Sequence, residues 1–214
     1  MNPFLLFDFD GTVANSIDGL FELVNGLAPR YGYQPISRQR FEQLRDYPLA
    51  RACRMLKVPL YKLGQAVPII LHEYRKIIPN LDPCPGIVEL LDTMKSRRIP
   101  MALLSSNRAD NVQAFLDNHG IGHFDWVEGT GGLLHKHRSI VSRLRKHGLM
   151  RENVIYIGDE ARDIKAARKS GVKVISVCWG LHSRQNLESH KPDHIAQTPN
   201  DVWNILEKHY LGTR

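Results

Sequence analysis

Two carboxylates stand two positions apart near the start of the chain, in Asp8-Phe9-Asp10-Gly11-Thr12. One carboxylate of such a pair can attack phosphorus and form a phospho-aspartate. The other can protonate the leaving oxygen and later accept a proton from water. Gly11 permits a sharp turn after the pair, and the hydroxyl or backbone of Thr12 can orient its neighbours. The motif therefore predicts phosphoryl-transfer chemistry.

A second acidic cluster, Gly158-Asp159-Glu160-Ala161-Arg162-Asp163, supplies a place for a cation. Two bare carboxylates would repel a phosphate dianion, and Mg²⁺ prefers a few carboxylate oxygens completed by water and substrate phosphate. Asp8, the backbone carbonyl of Asp10 and Asp159 could supply the protein ligands. Asp163 is one helical turn beyond Asp159, so we expect it to support Asp159 or a lysine from outside the ligand set.

The run Ser105-Ser106-Asn107 follows an apolar segment and precedes a helical pattern. A hydroxyl and free backbone N–H groups at such a position form an anion site. We expect Ser106 to hold the transferring phosphoryl group. Lys136 could add positive charge to the same oxygens as negative charge spreads in the transition state.

Short apolar runs that end in these polar motifs predict buried parallel strands. Runs of this kind lie at residues 4–7, 101–104 and 154–157, and residues 172–177 and, less regularly, 194–196 add two further strands. Helical periodicity between them predicts an α/β fold, a doubly wound parallel sheet with helices on both faces. In such folds the site lies beyond the carboxyl ends of the strands, which is where the acidic clusters fall.

From about Ile17 to Leu81 the sequence shows only helical periodicity, so this stretch predicts an α-helical insertion after the first strand. The insertion ends at Asp82-Pro83-Cys84-Pro85-Gly86, where two prolines restrict the backbone and the following glycine allows it to change direction. We therefore predict a catalytic core of residues 1–14 and 83–214 and a helical cap of residues 15–82.

Composition narrows the class of protein. The 214 residues are 43% hydrophobic, which suits one globular core, and no basic leader or long apolar run predicts secretion or a membrane span. Three cysteines without C-x-x-C spacing argue against a disulfide framework or a zinc knuckle, so we expect a cytoplasmic location. The net charge of +7 suggests nucleic-acid binding as a possible function, but the sequence contains no recognisable nucleic-acid-binding module, which disfavours it. Monomer and homodimer both stay open.

Taken together and in this order, Asp-x-Asp-Gly-Thr, strand-Ser-Asn, Lys and Gly-Asp-x-x-x-Asp resemble the haloacid dehalogenase-like superfamily, and within it the phosphoglycolate phosphatase-like branch. The resemblance implies a Rossmann-like core, an inserted helical cap and Mg²⁺ as cofactor. The roles that it implies are Asp8 as nucleophile, Asp10 as acid/base, Ser106 and Lys136 as phosphate ligands, Asp159 as metal ligand and Asp163 as its support. Gly11, Thr12 and Asn107 complete the expected phosphate-binding set.

Two positions depart from the family pattern. His137 follows Lys136 where relatives often have proline, and Glu160 follows Asp159, which leaves open which carboxylates touch the metal. In the cap, residues 41–45 resemble the segment that reaches toward substrate in relatives. Arg45 is therefore a candidate ligand for a substrate anion.

The function that these features predict is a Mg²⁺-dependent phosphatase acting on a small phosphorylated metabolite. Two alternatives stay open: a phosphosugar mutase with the same aspartates, and a non-catalytic module that binds Mg²⁺ or nucleic acid. A dehalogenase is disfavoured because Asp10 and the acidic motif suit phosphoryl chemistry. A phosphonate-cleaving enzyme would need a cap lysine for a Schiff base, and Lys57 and Lys62 have no recognisable setting.

Overall fold

The computed structural model describes residues 2–47, 49–56, 69, 72–129 and 136–212, and within them the chain forms one six-stranded parallel sheet. The strands lie in the order β3-β2-β1-β4-β5-β6. Their bounds are β1 (Phe4–Phe7), β2 (Met101–Ser105), β3 (Val127–Gly129), β4 (Val154–Gly158), β5 (Lys173–Val177) and β6 (His194–Ala196).

Strand β1 occupies the centre of the sheet, where Leu5 pairs with Met101 of β2 on one side and with Ile155 of β4 on the other. All four of its residues are buried, as expected for a strand covered on both faces. The chain order reverses at β1, because β2 and β3 lie to one side and β4 to β6 to the other. Such a switch point opens a crevice at the carboxyl ends of β1, β2 and β4.

Helices cover both faces of this sheet. Their bounds are α1 (Ser16–Tyr31), α2 (Arg38–Leu44), α3 (Leu49–Met55), α4 (Ile87–Ser96), α5 (Ala109–Asn118), α6 (Lys136–Lys146), α7 (Ala161–Ser170), α8 (Arg184–Ser189) and α9 (Pro199–His209), with 3₁₀ turns at Ile78–Asn80 and Arg151–Asn153. Residues 72–77 are also helical. None of the helices within the described ranges is long and apolar enough to cross a membrane.

The side chains of β1 alternate between two hydrophobic clusters, as the two-residue period of a strand requires. Leu5 and Phe7 pack in the cluster that holds the apolar residues of α4, α5 and α9. Phe4 and Leu6 pack in the other cluster, with residues of α6 and α7. The doubly wound α/β fold expected from the sequence is confirmed.

Strand β3 was not predicted. The strand has only three residues, all half-buried, and its middle residue is the charged Glu128. Glu128 is paired with Arg143 and Lys146 of α6, so its burial at the sheet edge is offset by charge. A short edge strand of this composition lacks the apolar run by which the other strands are recognised.

Between β1 and the 3₁₀ turn at Ile78–Asn80, the regular elements within the described ranges are all helical. The entry to and exit from this segment run side by side. The backbone N of Asn15 donates to the O of Asp82 at 2.8 Å, and the N of Cys84 donates to the O of Val13 at 2.8 Å. Ala14 and Pro83 form the bridge between these bonds. The segment is therefore joined to the sheet through one narrow pair of strands.

Gly129 allows β3 to approach the loop after β2. A Cβ atom at this position would lie 2.3 Å from the carbonyl O of Asn107 and 2.4 Å from the N of Ala109. Because both are backbone atoms, no side-chain rotation relieves the clash, and Gly129→Ala should lower the Tm by roughly 5 °C. Gly122→Ala is the control, since a Cβ there meets nothing within 4 Å. Equal Tm values for the two variants in thermal unfolding would contradict the close approach.

Candidate active site

Asp8 lies directly beyond β1, and its backbone N continues the sheet by donating to the O of Ile157 at 2.8 Å. The side chain is buried, with only 2% of the residue exposed. Oδ1 accepts a hydrogen bond from the N of Phe9 at 2.9 Å, and Oδ2 accepts one from Nζ of Lys136 at 2.6 Å. The carboxylate is thus fixed in orientation by a backbone donor and a cation.

Lys136 opens α6 and reaches two carboxylates at once. Its Nζ also donates to Oδ1 of Asp163 at 2.5 Å and lies 5.1 Å from the ring centroid of Tyr156. Burial lowers the pKa of Lys136, but Asp163 and Asp8 outweigh it and hold that pKa well above its usual value. The side chain is therefore a buried cation.

Asp8, Asp159 and Asp163 form a buried acidic cluster, in which each offers a carboxylate oxygen within 4.8 Å of the others. Burial raises the pKa of Asp159 well above its usual value, and the neighbouring Glu160, Asp163 and Asp8 raise it further. Burial also raises the pKa of Asp8, although Lys136 opposes the shift. Because Lys136 brings one positive charge to three carboxylates, the all-oxygen cluster fits a hard divalent cation such as Mg²⁺.

Asp159 is held from several directions. Its Oδ1 accepts from Oγ1 of Thr12 at 3.1 Å, and its Oδ2 accepts from the N of Leu181 at 2.7 Å. A Cβ at Gly11 would lie 2.1 Å from Oδ2 of Asp159, and one at Gly180 would lie 2.2 Å from its Cβ. Gly11 has φ +71°, so glycine is required there for its backbone conformation as well as for space.

Asp163 and Glu160 start helix α7. The N of Glu160 donates to Oδ2 of Asp163 at 3.0 Å, and the N of Asp163 donates to the carbonyl O of Glu160 at 2.9 Å. Glu160 Oε1 accepts from NH2 of Arg162 at 2.5 Å. Asp163 therefore links the start of α7 to Lys136. Arg162, which was not predicted as a site residue, forms an ion pair with the carboxylate of Glu160.

Asp10 lies in a different environment from Asp8. Its Oδ1 accepts from the hydroxyl of Tyr74 at 2.5 Å, and its Oδ2 accepts from Nδ2 of Asn107 at 2.6 Å. Burial raises the pKa of Asp10 to about 6, with a smaller contribution from the charge of Asp8 and with the hydrogen bonds of Tyr74 and Asn107 opposing it. Both carboxylate oxygens are thus occupied by neutral donors.

Tyr74 was missed by sequence reasoning. It lies in a helical stretch that carries no motif, 64 positions from Asp10, so only the folded chain brings the two together. Asn107 was expected at the phosphate site, and the structure places its side chain on Asp10 instead of leaving it open.

Ser106 lies at the same edge of the sheet, between Ser105 and Asn107. Its side chain is half-buried and makes no hydrogen bond within the described ranges. Helix α5 begins at Ala109 with Arg108 as its N-cap, so Ser106 does not cap that helix. Its hydroxyl is available for a ligand, as the predicted role requires.

Arg45 ends α2 and reaches the loop after β5. Its Nε lies 2.9 Å from Oε2 of Glu42, and its NH1 donates to the O of Gly180 at 3.2 Å. The adjacent Asp46 accepts from the N of Ser183 at 2.8 Å and from the Ser183 hydroxyl. The end of α2 is therefore anchored beside the backbone that packs on Asp159. Lys57 and Lys62 lie outside the described residues.

Comparisons with known proteins agree with this geometry. A family model described as haloacid dehalogenase-like hydrolase matches residues 5–177. A phosphoglycolate phosphatase of Synechococcus elongatus is 32% identical over 92% of this chain and 94% of its own length. A 5'-nucleotidase of Pseudomonas aeruginosa is 26% identical over 97% of this chain and 96% of its own length.

The fold recurs among solved structures. A haloacid dehalogenase-like family hydrolase from Streptococcus pneumoniae superposes with a TM-score of 0.81, at 25% identity, over 96% of this chain and 98% of the other. The similarity to curated and solved proteins therefore extends over nearly the whole chain, including the helical segment between β1 and β2.

Mg²⁺ should stabilise this protein, because a cation relieves the repulsion within the acidic cluster. At saturating MgCl₂ we expect the Tm to rise by roughly 5 °C relative to NaCl of matched ionic strength, measured by differential scanning fluorimetry. Asp159→Asn should be at least as stable as the wild type without Mg²⁺ and should lose the Mg²⁺ shift. Asparagine can place its amide oxygen where Oδ2 of Asp159 accepts from the N of Leu181, and its Nδ2 can donate to the Thr12 hydroxyl oxygen. An unchanged Mg²⁺ shift in this variant would contradict Asp159 as a ligand.

Proposed function

This chain belongs to the haloacid dehalogenase-like hydrolase family, and we propose that it is a Mg²⁺-dependent phosphatase that hydrolyses a small phosphomonoester of the phosphoglycolate type. The observation that carries the proposal is the pair of differently held carboxylates beyond β1. Asp8, within the acidic cluster, contacts the cation Lys136, whereas the hydrogen-bond donors to Asp10 among the described residues are the neutral Tyr74 and Asn107. The substrate class rests on the Synechococcus elongatus relative.

In the first half of the reaction, a carboxylate oxygen of Asp8 attacks phosphorus while the bond from phosphorus to the leaving oxygen breaks. The proton of Asp10 goes to that oxygen, so the alcohol departs neutral. In the second half, water attacks the phosphorus of phospho-Asp8 and gives a proton to Asp10, while the bond from phosphorus to the Asp8 oxygen breaks and frees the Asp8 carboxylate. Inorganic phosphate leaves, and both carboxyl groups return to their starting forms.

Asp8, Asp159 and the backbone carbonyl of Asp10 would hold Mg²⁺, which when bound neutralises the phosphoryl oxygens and aligns them with Asp8. Asp163 would act through its neighbours, because its two oxygens are occupied by Lys136 and by the N of Glu160. Lys136 would stabilise the charge that develops on the transferring group.

The remaining phosphate contacts would come from the edge of the sheet. Ser106 offers a hydroxyl without a hydrogen-bond partner in the described structure, and the loop of Gly11 and Thr12 passes beside Asp159. Asn107 would hold Asp10 in place and would also contact the phosphate.

We assign residues 15–82 to a cap over this site. Support comes from the narrow two-strand connection at residues 13–15 and 82–84 and from the helical character of the described residues between them. Among the described cap residues, Arg45 is our candidate ligand for the carboxylate of a substrate, because it contacts the carbonyl of Gly180 next to Asp159. Cap contacts of this kind would exclude water and select the leaving group.

Asp8→Asn tests the nucleophile. An amide cannot form the acyl phosphate, so release of phosphate from 2-phosphoglycolate should fall by at least about 10³-fold, while the Tm stays near that of the wild type. EDTA should abolish phosphate release by the wild type, and added Mg²⁺ should restore it. Phosphate release by Asp8→Asn would remove Asp8 from the mechanism. With a sugar phosphate that carries a second free hydroxyl as substrate, a rearranged phosphate ester in place of free phosphate would indicate a mutase.

Arg45→Ala tests the substrate contact of the cap. If the guanidinium binds the substrate carboxylate equally in the ground and transition states, the KM for 2-phosphoglycolate should rise about tenfold while kcat changes little. Arg40→Ala is the matched control, because Arg40 lies on the same helix and contacts Gln43 on the exposed face. A KM equal to that of the control would discard this role for Arg45.

A further inference from the structure

Tyr74 connects the helical segment to the carboxyl group beyond β1. Its ring packs against the main hydrophobic cluster, and its hydroxyl lies 2.5 Å from Oδ1 of Asp10. Tyr74 belongs to helical residues 72–77, inside the segment assigned to the cap, whereas Asp10 belongs to the core. The contact therefore depends on the position of that helix over the sheet edge.

The two donors on Asp10 come from different parts of the chain. Asn107 reaches Oδ2 at 2.6 Å and is itself fixed by its backbone N, which donates to Oγ of Ser105 at 2.9 Å. The terminal torsion of an aspartate is broad when nothing restrains it. With one donor on each oxygen, the plane of the Asp10 carboxyl group is set, and so is the direction in which it can deliver a proton.

The two donors are not equivalent in chemistry. An amide NH₂ only donates, whereas a phenol hydroxyl can donate to a carboxylate and can also accept from a carboxylic acid. Before substrate binds, the Oδ1–H of the acid can donate to the Tyr74 oxygen. When that proton turns to the leaving oxygen, the O–H bond of Tyr74 can rotate and donate to Oδ1, so the contact persists. Asn107 suits the oxygen that carries no proton.

We propose that Tyr74 is a positioning residue for the reaction: from the cap, it orients the Asp10 carboxyl group toward the leaving oxygen of the substrate. This inference rests on the proposed phosphatase function. It assigns to the last helical turn before residue 78 a role in protonation of the leaving group, separate from any substrate contact made by Arg45.

The alternative is that the Tyr74 hydroxyl only fastens helical residues 72–77 to the core. A fastening role affects all substrates alike. A role in orienting the acid affects only substrates whose leaving oxygen needs a proton, so the chemistry of the leaving group separates the two.

Tyr74→Phe should be compared with the wild type on 2-phosphoglycolate, which has an alkoxide leaving group, and on p-nitrophenyl phosphate, whose leaving group departs without protonation. The ratio kcat/KM is the appropriate quantity, since it covers the steps through departure of the alcohol. We expect a loss of about tenfold or more on 2-phosphoglycolate and of less than about threefold on p-nitrophenyl phosphate. Tyr33→Phe is the matched control, because it removes a tyrosine hydroxyl that donates to the carbonyl of Val24, within the same segment. It should leave both values unchanged.

Equal losses on the two substrates, or no loss on either, would overturn the proposal. Thermal unfolding supplies a readout that needs no turnover: Tyr74→Phe should lower the Tm of the wild type but not that of Asp10→Ala, where the hydroxyl has lost its acceptor. The same Tm loss in both backgrounds would show that the contact with Asp10 does not exist. A wild type that releases no phosphate would defeat the proposed function, and the Tm comparison would still decide whether Tyr74 is coupled to Asp10.

Discussion

The buried cluster of Asp8, Asp159 and Asp163 around the ammonium group of Lys136 constrains everything else at the carboxyl edge of the sheet. Burying carboxylates costs several kcal/mol each unless charges and donors compensate, and one lysine leaves about two negative charges uncompensated. The protein tolerates this because each carboxylate has fixed donors and because the cluster suits a divalent cation. A site of this kind trades stability without metal for affinity toward a cation and a phosphoryl group.

The order of the strands produces the cluster. Asp8 follows β1 and Asp159 follows the adjacent β4, so the parallel pairing brings their side chains to one edge. The loop after β5 then closes over Asp159: the N of Leu181 binds its carboxylate, and Nε1 of Trp179 donates to the O of Thr12 at 3.1 Å. Because the same loop contacts Arg45 and Asp46, the position of α2 is mechanically linked to the backbone around the cluster.

Much of this could be predicted from the sequence, since apolar runs before polar motifs indicate β1, β2 and β4, and less regular apolar patterns indicate β5 and β6. Lys136 was a candidate from the need for positive charge near the transferring phosphoryl group, and family resemblance supported it, but nothing in the local sequence distinguishes it from a solvent-exposed lysine. Strand β3 was not predicted because it has only three half-buried residues, with the charged Glu128 in the middle, and so lacks an apolar run. The roles of Tyr74 and of the loop of residues 179–183 were not predicted for a different reason. Their contacts use a single hydroxyl and backbone groups. The partners of such groups are set by the folded geometry and leave no pattern of residue types in the sequence.

Asp8 and Asp10 share a sequence motif yet are held by different chemistry, and that difference supports distinct roles. A carboxylate beside a cation is favoured in its ionised form, which is the form that can attack phosphorus. Among the described residues, the hydrogen-bond partners of the buried Asp10 carboxyl group are the neutral Tyr74 and Asn107, and neither is a cation. Burial raises the pKa of Asp10 to about 6, close enough to neutral pH for the group both to donate and to accept a proton. One loop could thus supply both a nucleophile and an acid/base, because a cation contacts the carboxylate of Asp8 and neutral donors contact both oxygens of Asp10. The roles proposed for Asp8 and Asp10 therefore rest on Lys136 on one side and on Tyr74 and Asn107 on the other, as well as on their order in the motif.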